Sequence, residues 1–120
     1  MVLTYAQKPT PTFSIEKTTQ KIRVDGILDE EVWAPQHVAK DFYISTPVDT
    51  AYAQTKTDVM MTYDEKNIYV AAICYDEIPG AYIIQSLKRD FSYPRSDAFS
   101  VILNPSNDNT NGFSFAVNPR

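Results

Sequence analysis

Cysteine, glycine, histidine and tryptophan are all scarce in this 120-residue chain, and each shortage closes off a class of chemistry. One cysteine, Cys74, cannot form an internal disulfide, so it leaves the redox compartment undetermined. Its place in an apolar strand pattern predicts a small core side chain rather than a nucleophile. Three scattered glycines cannot supply a phosphate-cradling loop, which removes the usual nucleotide and dinucleotide signatures. A single histidine, His37, excludes most histidine-based metal sites, and its setting predicts a surface loop. No serine occupies a nucleophile-elbow context. No run approaches the roughly 18 or more apolar residues of a membrane-spanning helix.

Charge is limited too. Eleven basic against fifteen acidic residues give a formal charge of -4, and the basic residues form no stripe. Nucleic acid is therefore not an expected partner. What is abundant is β-forming material: eight Tyr and six Phe, with 43% hydrophobic residues, enough for one soluble domain with a core.

Residues 1–11, with Pro9 and Pro11 among polar neighbours, read as a mobile leader. Val2-Leu3-Thr4-Tyr5-Ala6 before Gln7 resembles the end of a secretory signal peptide; a disordered leader is the alternative. Residues 12–120 form the domain. Its most distinctive part is Lys21 to Trp33. Ile22 and Val24 alternate with Lys21, Arg23 and Asp25 as in a half-buried strand. Gly26 can take the positive φ that ends it. Asp29 is placed to cap a short helical turn with Glu30 and Glu31 at its positive end, and Val32 and Trp33 can then fold back over the strand.

Further strand patterns follow. Phe13 and Ile15 give a short one, and a segment within Val38 to Ile44 another. Residues 45–57 read as a long surface loop. Asp58 to Tyr63 places Val59, Met61 and Tyr63 on one face, and Asn67 to Tyr75 is apolar on both faces. Asp64-Glu65-Lys66 connects them as a β-hairpin. Residues 82–88 fit either a helix or a strand. Phe99, Val101 and Leu103 share a face of the next strand, and Phe113, Phe115 and Val117 share a face of the last. The Asn-, Asp- and Ser-rich loop of residues 104–112 lies between. The sum is an all-β chain with sandwich-like spacing. A last strand near Arg120 without a following partner would leave an apolar edge, so the domain is expected to continue, or a swapped strand or partner chain to cover the edge.

Candidate chemistry is sparse. No pair of carboxylates is set by spacing to face across a cleft, so an active site is not expected. Asn104 to Thr110 offers oxygen ligands suited to calcium but lacks EF-hand spacing, and ordinary hairpin-loop composition explains it as well; no other cofactor is implied. The most site-like stretch runs from Arg89 to Asp97. Phe91 and Tyr93 could stack on apolar sugar ring faces, and Arg89, Arg95 and Asp97 could bond hydroxyls. An Arg-Asp network pinning the loop is the structural alternative.

Ile22-x-Val24-Asp25-Gly26-x-Leu28-Asp29-Glu30-x-Val32-Trp33 resembles the opening of family-nine carbohydrate-binding modules. Tyr63-Asp64, Ile68 through Asp76, Asp97 to Leu103 and Phe115 to Asn118 continue the likeness, which spans about residues 21–118. The resemblance implies a jelly-roll-like antiparallel β-sandwich that extends past Arg120. It also implies sugar binding without catalysis, and association with xylan-degrading enzymes. Its contact positions fall on Pro94 where an aromatic is expected, Ser100 where an acid is expected and Ala116 where a base is expected; Tyr93 can stand in for the aromatic. Arg89-Asp90 and Asn118-Pro119 look closer to the variant of this domain found ahead of bacterial outer-membrane β-barrels. That variant would place the chain in the periplasm, at the outer membrane or outside the cell, as an interaction domain.

Overall fold

The computed structural model describes residues 11–34, 37–46, 51–77, 97–108 and 110–119. Among them are five strands, β1 (Glu16–Lys17), β2 (Thr57–Tyr63), β3 (Ile68–Cys74), β4 (Phe99–Leu103) and β5 (Phe113–Val117), and one 3₁₀ turn, Glu31–Trp33. The described residues are thus all-β, as the aromatic and β-branched pattern predicts. The chain divides into two compact units, Met1–Asp76 and Glu77–Arg120.

In the first unit the sheet order is β1-β2-β3. β2 and β3 pair antiparallel from Thr57↔Cys74 to Tyr63↔Ile68, so the expected hairpin is present. The other edge of β2 carries β1, parallel, at Thr62 and Tyr63. It also carries Ala39, which exchanges both backbone hydrogen bonds with Val59 (2.8 and 2.9 Å). The segment expected as a strand over Val38 to Ile44 is reduced to two single bridges, Ala39↔Val59 and Tyr43↔Tyr52. Asp41 between them has a φ of 59°, a left-handed conformation that aspartate tolerates better than most residues and that interrupts the strand.

Register fixes the faces. Val59, Met61 and Tyr63 do share one, with Ile68, Val70, Ala72 and Cys74 opposite them. The plug lies on the other. Met60 pairs with Ala71, and Trp33 packs on both as a buried cluster, flanked by Ile22, Val32, Val38 and Tyr69. A small alanine beside methionine leaves space for the indole, and a dense contact of large against small is how interiors fill.

The segment ahead of Trp33 departs from expectation in two ways. Lys21 to Val24 forms no strand: Ile22 packs on the cluster, but Val24 is 92% exposed. The backbone there bonds to a side chain instead of a neighbouring strand, with the Arg23 N–H donating to Glu30 Oε1 (2.8 Å). Released from a ladder, the residues lose their strict alternation. Asp29 is not the cap either. Glu30 precedes the 3₁₀ turn in extended conformation, and its Oε2 accepts the Trp33 indole N–H (3.0 Å). Gly26 does adopt the expected positive φ, 83°, and Asp25 Oδ1 accepts the Ile27 N–H (3.0 Å) to close the turn.

In the second unit β4 and β5 pair antiparallel from Phe99↔Val117 to Leu103↔Phe113. The two expected faces therefore coincide: Phe99, Val101, Leu103, Phe113, Phe115 and Val117 line one side of the ribbon. Ser100, Ile102, Ser114 and Ala116 line the other.

These positions separate two side chains that alternation alone treats alike. Trp33→Ala should lower the unfolding free energy by about 3 kcal/mol, the loss typical of a buried large aromatic. Val24→Ala should stay within about 0.5 kcal/mol, as exposed substitutions do. Urea unfolding of both variants checks the difference; equal losses would place Val24 in the core.

Candidate functional site

Of the five residues expected to contact a ligand, Arg89, Phe91, Tyr93 and Arg95 lie outside the described residues, as does Pro94. Asp97 is described, exposed, two residues before β4. Ser100 on β4 and Ala116 on β5 are direct cross-strand partners. The two positions at which the family resemblance expects an acid and a base are therefore one spot on the ribbon, on the face opposite Phe99. In this chain both side chains there are small and uncharged.

The oxygen-rich loop before β5 is organised by Asp108. Its Oδ1 accepts the backbone N–H groups of Thr110 (3.0 Å) and Asn111 (3.1 Å), and its Oδ2 accepts from Asn111 Nδ2 (3.1 Å). Asp64 does the same at the β2–β3 turn. Its Oδ1 accepts the N–H groups of Lys66 and Asn67, both at 2.7 Å, and its Oδ2 accepts the Tyr69 hydroxyl (2.8 Å). Both turns spell Asp-x-x-Asn, and in both the asparagine amide donates back to the aspartate. Such side-chain bonds replace the ladder where the chain reverses. Donors converging on each carboxylate stabilise its charged form. The backbone N–H of Lys66 first, then the Tyr69 hydroxyl, holds Asp64 down at about 2, and the backbone N–H of Thr110 leads in holding Asp108 at about 2. Among the described residues no group of three or more His, Cys, Asp and Glu side chains could hold a metal ion.

A third carboxylate works at the far end of the hairpin. Asp58 Oδ2 accepts Lys56 Nζ (2.9 Å) and the Tyr75 hydroxyl (3.1 Å), and the same ammonium lies 4.5 Å from the centre of the Tyr75 ring. The hydrogen bond from Lys56 lowers the Asp58 pKa, and its counterpart raises that of Lys56. Asp58 Oδ1 is buried without a hydrogen-bond partner, so the ammonium compensates this carboxylate through one oxygen only.

The remaining candidates divide. His37 is exposed, as expected, with Nε2 3.4 Å from Glu16 Oε1. Cys74, expected in the core, is exposed: it ends β3 on the side away from the Trp33 plug. Asp29, Glu30 and Glu31 do not act as one solvated helix start, because Glu30 is committed to Arg23 and Trp33. Sequence reasoning missed the Lys56–Asp58–Tyr75 cluster and a pair of tyrosines. Tyr43 and Tyr52 stack with ring centres 4.5 Å apart, both about half exposed, in a region read as a short strand followed by a loop. The two bridge residues stand nine apart with no periodicity between them, so no local pattern announced the contact.

No known protein family, curated protein or solved structure matches this chain.

The two turn aspartates carry a pH consequence. Their folded pKa of about 2 lies below the ordinary 3.8, so the stabilisation is complete above about 3.8 and is lost as pH falls through about 2. The midpoint of urea unfolding should fall across that acidic window. Asp64→Asn with Asp108→Asn, which keeps an acceptor oxygen but cannot titrate, should flatten the fall; an identical pH profile in the double variant would show that these turns do not drive it.

Proposed function

We propose that this chain is a non-catalytic carbohydrate-binding module with a jelly-roll-like β-sandwich fold, serving the recognition of polysaccharides or oligosaccharides in carbohydrate breakdown. The observation that carries the proposal is the order of its parts. The Asp25-Gly26 turn, the Glu30–Trp33 plug, the hairpin turning at Tyr63-Asp64 and the β4–β5 ribbon follow one another as in the family-nine modules they resemble.

Ser100 and Ala116 remove charge from the cross-strand spot that the resemblance assigns to sugar contact. Recognition then falls to the preceding loop. Phe91 and Tyr93 would stack on ring faces, with Arg89, Arg95 and Asp97 bonding hydroxyls. Calcium at the Asp108 loop would be an accessory at most, since that carboxylate already accepts three donors from its own loop.

A second reading rests on a separate observation. Phe113, Phe115 and Val117 are each at least 60% exposed on one face of β5. Contiguous apolar surface of this kind marks contact with another protein segment. It suits an interaction domain of a bacterial outer-membrane protein, in the periplasm or at the cell surface.

Calorimetric titration with xylo- and cello-oligosaccharides separates the two. The first reading expects binding heat from at least one series and its loss in Tyr93→Ala. Silence with every sugar at millimolar concentration would overturn it and leave the interaction domain standing.

A further inference from the structure

We propose that Tyr43 and Tyr52 form an oxidative cross-linking site, at which a one-electron oxidant joins the two rings as a dityrosine. The rings stack with centres 4.5 Å apart and planes inclined by 25°. The Tyr43 hydroxyl donates to the Tyr52 oxygen at 3.0 Å. Because the oxygens are closer than the ring centres, the rings lean together at their phenol ends. The carbons flanking each hydroxyl-bearing carbon are therefore brought towards one another. In a phenoxyl radical those ortho carbons hold much of the unpaired spin, in lobes perpendicular to the ring. Face-to-face stacking directs the lobes of one ring at the other, which is the approach that radical coupling needs.

The backbone holds this geometry. Tyr43 and Tyr52 are bridge partners, Ile44 N–H donates to Ala51 O (2.9 Å), and Ala53 N–H donates to Phe42 O (2.8 Å). Cross-strand aromatic pairs on such a frame stabilise one another by stacking. Exposures of 47% and 58% leave both phenols open to an external oxidant.

The chemistry balances with a haem peroxidase and hydrogen peroxide. Each phenol gives up one hydrogen atom, and the peroxide, accepting both, leaves as two waters. A carbon–carbon bond forms between one ortho carbon of each ring. The two hydrogens on those carbons then move to the oxygens and restore both aromatic systems, so the product lacks two hydrogen atoms. A chain with one cysteine has no internal disulfide to close a loop; this bond closes the loop from residue 43 to residue 52.

The test uses the full chain, dilute, with a haem peroxidase and hydrogen peroxide, followed by cleavage ahead of aspartate. Cuts before Asp41, Asp49 and Asp58 place Tyr43 and Tyr52 on separate peptides, residues 41–48 and 49–57. The expected product is these two peptides joined, two hydrogen atoms lighter than their sum, with dityrosine fluorescence. Tyr52→Phe keeps a stackable ring but forms no phenoxyl radical, and should lose the joined species; urea-unfolded chain should lose the preference for this pair. Coupling confined to other tyrosines or to pairs of chains, no coupling at all, or an undiminished yield from Tyr52→Phe would overturn the proposal.

Discussion

The first unit depends on one carboxylate. Glu30 accepts the Arg23 backbone N–H with one oxygen and the Trp33 indole N–H with the other, and so ties the incoming chain to the plug. A buried indole N–H without an acceptor would cost most of what burying the ring contributes. With the acceptor in place the ring can lie on Met60 and Ala71 and present only 8% of its surface to solvent. Only Trp33, Val59, Met60 and Ala71 form the buried hydrophobic core among the described residues. Directional polar bonds share with these four side chains in deciding where the described elements of the unit sit.

That dependence explains what could be seen in the amino-acid order and what could not. Strand pairs with dense β-forming residues were legible, because a period of two and a turn-rich break are local properties. β2, β3, β4 and β5 all lie where Val59, Val70, Val101 and Phe115 suggest. Which face of β2 carries the plug was not legible. Val59 and Met60 are both apolar, and the choice is made by Trp33, brought from 27 residues earlier in the chain by Glu30. Val24 misled for the same reason. It alternates correctly, but alternation predicts burial only where a neighbouring strand enforces the pleat.

The candidate ligand stretch, Arg89 to Asp97, is an expectation from composition, and all of its five candidate residues except Asp97 lie outside the described ones. Arg89 to Arg95 stood out because aromatics and charges mix there, which is a local trait. Tyr43 with Tyr52, and Lys56 with Asp58 and Tyr75, needed register before they meant anything. Lys56 and Tyr75 are brought together by a backbone bond, Tyr75 N–H to Lys56 O at 2.9 Å, that continues the β2–β3 ladder past its named end. Once strands are aligned, residues 19 positions apart become neighbours, and a charge scattered in the sequence becomes an ion pair with an aromatic lid.

The acidic balance of the chain takes on a different meaning in this light. An excess of carboxylates suggests catalysis or a cation store, yet each described carboxylate with a resolved downward shift has partners within the fold: Glu30 anchors the plug, Asp64 and Asp108 shape turns, and Asp58 pairs with the Lys56 and Tyr75 side chains. A depressed pKa keeps a group charged at neutral pH, where it makes a poor general acid and a good hydrogen-bond acceptor. All four are held as ionised acceptors by donors of the chain's own turns, plug and hairpin end.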